Sequence, residues 1–88
     1  MHPEQTRYIR LLASIEAIDP RYYEPFSVLL AGQDTITTVE HYPELLDEAV
    51  IGQLGALFFP LVQAGEFETA GRTQGIADVL RDLRMMRR

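Results

Sequence analysis

With 88 residues, 47% of them hydrophobic, the chain has the apolar content for one folded domain and too little length for two. It holds no cysteine and no asparagine and only two histidines, which excludes disulfides, N-glycosylation sequons and a thiolate zinc site. A net charge of −5 argues against non-specific nucleic-acid binding, and no apolar run reaches the ~20 residues of a membrane span or opens the chain as a secretion signal; the expected setting is the cytoplasm.

The spacing of apolar residues predicts a first helix over 3–18. Pro3 suits a first-turn position and Glu4 complements the positive helix end. Tyr8, Leu11, Leu12, Ile15 and Ile18 then share one side, and Asp19-Pro20 stops the helix. A shorter helix is expected over 22–31, with Phe26, Leu29 and Leu30 facing the core and Gly32 as its C-terminal cap. Asp34 to Val39 alternates β-branched with polar residues. A lone strand has nothing to pair with, so a loop or a short helical turn capped by Asp34 or Thr35 is expected there.

Pro43-Glu44 opens the strongest helical pattern, in which Leu46, Val50, Leu54, Leu57, Phe58 and Leu61 form a broad stripe. Pro60 should kink or tighten its end, and Ala64-Gly65 stops it. A last helix follows over 66–86, with Phe67, Ala70, Ile76, Ala77, Leu80, Leu83 and Met86 on one side and Glu68–Arg72 as an i,i+4 pair. Arg81, Arg84, Arg87 and Arg88 fall at the helix end that favours cations. The fold class expected is all-α: one small four-helix domain over 1–88, ending in an antiparallel helical hairpin.

From Ile51 to Leu83 this hairpin resembles a tetratricopeptide (TPR) repeat, a helix-turn-helix unit of 34 residues. Leu54, Leu57 and Leu61 match the large apolar positions of its first helix, Gly65 and Phe67 its turn, and Ala70 and Ala77 the small residues of its second helix. The chain departs from the pattern at Phe58, Gln74 and Asp82, where the family prefers a small residue, an aromatic and proline. Leu29-Leu30-Ala31-Gly32 and Val62-Gln63-Ala64-Gly65 lie 33 residues apart, as the ends of first helices in successive units would. In size, charge and helical layout the chain is also similar to small acidic type III secretion chaperones. Both resemblances imply a protein that holds another protein.

No phosphate-binding glycine loop, dinucleotide fingerprint, catalytic Ser/His/Asp spacing or cysteine nucleophile is present, so no enzyme activity and no cofactor are expected. His41 lies between Glu40 and Glu44 but lacks a second ligand at metal-binding spacing, and reads as a capping or surface histidine. His2, near the terminus, carries no signal.

The candidates for partner binding are of three kinds. Glu40, Glu44, Asp47 and Glu48 form a compact negative stretch, suited to a basic partner surface and also to a helix N-terminus. Tyr22 and Tyr23 are anchors if exposed and core if not. Phe58, Phe59 and Val62 spread, with Leu57 and Leu61, around more than one helix face, and 88 residues can hardly cover them all. A second copy of the chain, a different protein or the chain's own first two helices would cover the remainder.

Charge is uneven: residues 1–65 carry −6 and residues 66–88 carry +1, and every cation is arginine. That bias fits a protein interface as well as a GC-rich genome. The function expected first is an acidic helical adaptor or chaperone that shelters an apolar segment of a partner protein. The second is a small inhibitor or regulator docking on a larger basic protein, and the third a homodimeric DNA-binding regulator using the arginine-rich end. The third needs a turn and a reading helix after Ile76-Ala77, which the sequence does not supply.

Overall fold

The computed structural model describes residues 3–16 and 18–86, so His2, Arg87 and Arg88 lie outside the described residues. Every regular element among the described residues is helical. In chain order they are α1 (Pro3–Ala13), a 3-10 turn (Pro20–Tyr22), α2 (Tyr23–Leu30), α3 (Thr35–His41), a second 3-10 turn (Pro43–Leu46), α4 (Glu48–Ala56), α5 (Phe58–Gln63) and α6 (Phe67–Met86).

Local chemistry sets these boundaries. α1 ends earlier than its apolar periodicity suggests, at Ala13. There the Ser14 hydroxyl donates to the Leu11 carbonyl at 2.6 Å, a side-chain bond that competes with the helical ladder. Ile18 still reaches the core from the irregular segment beyond. The Asp19 carboxylate then accepts the Arg21 backbone N–H at 3.1 Å and caps the first 3-10 turn, with Pro20 inside it.

Gly32 and Gly65 end α2 and α5 in the same way. Both take positive φ, +97° and +80°. In each case two backbone N–H groups turn back onto the last helical carbonyls: Gly32 to Leu29 and Gln33 to Val28, Gly65 to Val62 and Glu66 to Leu61. This is the Schellman arrangement, which needs a residue without a Cβ at the left-handed position. The two Ala-Gly steps thus do one local job twice, 33 residues apart.

The count of four helices is exceeded in two places, the first of them the short Asp34-capped helical turn that the sequence allowed. Residues 35–41 form α3 despite their β-branched content, because Asp34 caps it: its carboxylate accepts from the Thr37 N–H and the Thr37 hydroxyl, both at 3.0 Å. The single helix expected over 43–64 is instead a 3-10 turn, α4 and α5. Tyr42, preceding Pro43, sits at φ −130°, ψ 72°, outside the helical region, as a residue before proline should. Asp47 then caps α4 by accepting the Ala49 N–H at 2.8 Å. The break at Leu57 lies three residues before Pro60, which has no N–H to offer the Ala56 carbonyl and would crowd it with its ring.

The core gathers residues from every layer. Leu12, Phe26, Leu30, Leu45, Leu54, Leu57, Leu61 and Leu80 are completely buried. Both α4 and α5 pack along α6, which also touches α2, α3 and the second 3-10 turn. The course is antiparallel: Glu48 at the start of α4 meets Arg84 near the end of α6 at 3.8 Å. Ala70 and Ala77 are buried on the packed face of α6.

Three expectations about side chains are corrected. Phe58, placed in the core stripe, is exposed; so are Phe67 and Met86, placed on the packed side of the last helix. The chain breaks at Leu57, which separates Phe58 from the stripe of α4, and Phe67 and Met86 are the first and last residues of α6. Arg72 turns from Glu68 and donates to the Leu30 carbonyl at the end of α2, satisfying a helix-end acceptor.

Candidate protein-binding surface

α5 is a helix of six residues, and Leu61 is its one fully buried side chain. Phe58 and Phe59 stand at its first turn, 39% and 65% exposed. Val62, one turn beyond Phe58 and on the same side, is half-buried against the core. After the connection over 64–66, Phe67 opens α6 at 68% exposure. The chain has four phenylalanines and three of them face outward; the fourth, Phe26, is completely buried. Phenylalanine carries no polar tip to place in water, so this distribution leaves large apolar area uncovered on α5 and at the start of α6. The exposure of Phe67 was not legible in its periodicity. The available signal was its place at the first position of α6, ahead of the buried residues Thr69 and Ala70.

The acids occupy a different place. Glu40 lies in the last turn of α3, Glu44 in the second 3-10 turn, and Asp47 and Glu48 at the start of α4, all exposed. Two of them have structural work: Asp47 caps α4, and Glu48 faces Arg84 across 3.8 Å. Glu48 and Phe58 are ten residues apart along α4 and α5, about 15 Å at the helical rise. The structure therefore places the acids around the start of α4 and Phe58 and Phe59 beyond its end, and does not merge the two groups.

Tyr22 and Tyr23 are placed with neither group. Both are half-buried against the core, and the Tyr22 ring stacks on Phe26 with centroids 5.8 Å apart. The Arg21 guanidinium lies 5.7 Å from the Tyr22 ring centre on its outer side. These contacts give the pair a packing role at the start of α2. Tyr42 serves a similar purpose: its hydroxyl donates to the Glu24 carboxylate at 3.0 Å and ties the end of α3 to α2. Burial raises the pKa of that hydroxyl above its ordinary value, and the adjacent Glu24 carboxylate adds to the rise.

His41 is exposed at the end of α3. Among the described residues no group of three or more His, Asp or Glu side chains is placed to hold a metal ion, and no helix is long and apolar enough to cross a membrane. Nor is any buried side-chain polar atom left without a partner among them. Among the described residues the buried side-chain polar atoms are thus satisfied, while three phenylalanines stay exposed. No family model, curated protein or solved structure matches the chain.

Proposed function

We infer that the protein is a small binding module of the adaptor or chaperone kind, which shelters an apolar segment of a partner protein over Phe58, Phe59 and Val62, with Phe67 extending that surface. The exposure of Phe58 and Phe59 on a domain whose core is otherwise closed carries this reading. Aromatic side chains with little conformational freedom make strong anchors, because burying each one removes a large apolar area from water at small entropic cost. On this reading Glu40, Glu44, Asp47 and Glu48 act at a distance, steering a partner with a basic flank towards the exposed phenylalanines.

The same reading treats α4, α5 and α6 as a TPR-like hairpin. Its support is the Schellman turn at Gly65 and the buried Ala70 and Ala77, small residues of the kind that let two helices approach closely.

The test is capture of partners from the native cell by the tagged chain, run beside Phe59→Asp. A protein held by the wild type and lost with Phe59→Asp, while circular dichroism of the variant is unchanged, supports the reading. Retention of the same protein by Phe59→Asp contradicts it. The second reading, an inhibitor docking on a basic protein, is favoured by the exposed acids alone. It separates by salt: charge-led docking weakens steeply between ~0.05 and 0.5 M salt, whereas apolar capture does not.

A further inference from the structure

At the far end of the α4–α6 pair from the phenylalanines lies an opening of about 480 Å³, lined by Glu48, Ile51, Gly52, Arg81, Arg84 and Met85. Its size falls in the range of small-molecule sites, roughly 300–1,000 Å³. The lining combines an apolar base and wall, Ile51 and Met85, with two guanidinium groups. Ile51 is buried to 1% exposure, whereas Met85 is 69% exposed and free to fold over a guest.

Both arginines are loosely held. Arg81 stands 3.5 Å from Asp78 and Arg84 3.8 Å from Glu48, all four side chains being largely exposed. Such contacts are longer than a charge-assisted hydrogen bond, about 2.7–2.9 Å, so each guanidinium retains capacity for an incoming anion. Gly52 completes the site by what it lacks. A Cβ there would meet nothing within 4 Å, so no internal packing demands glycine at this helical position. Its effect is to leave the base of the opening clear. At Gly55, one turn further along α4, a Cβ would stand 3.8 Å from an Arg81 guanidinium nitrogen, which places that group over the same face.

We propose that this opening binds a small aliphatic carboxylate, whose chain lies between Ile51 and Met85 over Gly52 and whose head is received by Arg81 and Arg84. Arg81 has Asp78 beside it and Arg84 has Glu48, both as long, exposed contacts, so a carboxylate head entering the opening competes with weakly held partners for the two guanidiniums. The opening spans residues 48–52 of α4 and 81–85 of α6, about 7 Å of each helix. That is too short a seat for a partner helix and adequate for a short acyl chain. This site stands apart from the phenylalanine surface and does not depend on the partner-binding reading.

Titration of the isotope-labelled full chain with octanoate, followed by amide and methyl NMR, tests the proposal. Saturable shifts centred on Ile51, Gly52 and Met85 are expected, with no such set from octylammonium. Replacing both arginines, Arg81→Gln with Arg84→Gln, should weaken octanoate binding by about tenfold or more, the scale of a lost charge-assisted hydrogen bond. Gly52→Leu should abolish binding by filling the base while leaving the fold intact, since open space surrounds that position. Phe59→Asp should bind octanoate with wild-type affinity, so failure here and failure of partner capture are read separately. Equal responses to octanoate and octylammonium, shifts centred on Phe58 and Phe59, or undiminished binding by Gly52→Leu would each overturn the assignment.

Discussion

Two regions of the molecule use the same amino acid in opposite ways. In α2, Phe26 is completely buried in the core and stacked by Tyr22. In α5 and at the start of α6, Phe58, Phe59 and Phe67 are exposed. The difference lies in how many elements converge. α2 is packed by α1, α3 and α6, so a residue on its inner side meets neighbours from several directions. α5 packs chiefly on α6 and adjoins α4, and a six-residue helix so held has one inner position, taken by Leu61. Apolar content in a short chain is thus no guide to burial unless the number of covering elements is counted with it.

The largest effect expected is in the buried region. Phe26→Ala should cost about 3–5 kcal/mol, the range for deleting a core phenylalanine, measured as a loss of unfolding free energy in urea. Phe59→Ala removes the same side chain from the exposed region and should change stability by no more than about 0.5 kcal/mol. Equal costs at the two positions would erase the distinction between core and surface phenylalanine.

Smaller changes sharpen the contrast. Gly52→Ala should stabilise the domain by about 1 kcal/mol, the difference between the two residues in a helix interior, because no neighbour obstructs the added methyl. A loss of stability instead would show that the α4 face is more crowded than the structure has it. The smallest effect belongs to the caps in the first half of the chain. The Thr37 backbone N–H, then its hydroxyl, hold the Asp34 carboxyl below its ordinary pKa, and the Arg21 N–H does the same for Asp19. A carboxyl depressed in the folded state contributes stability above its unfolded value near ~3.9, and that contribution is lost as pH falls through the folded value. The melting temperature should therefore drop on acidification below about pH 4, and Asp34→Asn should reduce the size of that drop.

Much of the secondary structure could be read from local signals. Gly32, Asp34 and Gly65 each act through their own backbone or nearest neighbours and mark a cap or stop where the sequence suggested one, whereas Asp19-Pro20 and Pro43 open 3-10 turns in place of stopping the first helix and starting a long one. The end of α1 at Ala13 could not be read that way, because the apolar stripe continues through Ile15 and Ile18 while the backbone leaves the helix. The break at Leu57 was half legible: Pro60 announced a disturbance, but its steric reach acts on the preceding turn. Of the candidate site, Phe58 and Phe59 stood out because their apolar neighbours already filled the available faces. Tyr22 and Tyr23 could not be assigned without knowing that Phe26 lies beneath Tyr22. The opening beside Arg81 and Arg84 was invisible, since it joins residues some thirty positions apart and depends on a side chain that Gly52 does not have.

On the proposed adaptor or chaperone reading, the exposed phenylalanine surface meets a different protein and not its own copy. Size-exclusion chromatography with light scattering, on the chain alone and across ~0.05 to 0.5 M salt to span strong and weak screening, tests it most directly when paired with binding of a hydrophobic dye. The expected result is a 10.0 kDa monomer that binds the dye, with dye binding much reduced in Phe59→Asp. A salt-insensitive dimer that excludes the dye, and that Phe59→Asp converts to a monomer, would contradict it and assign the surface to self-association.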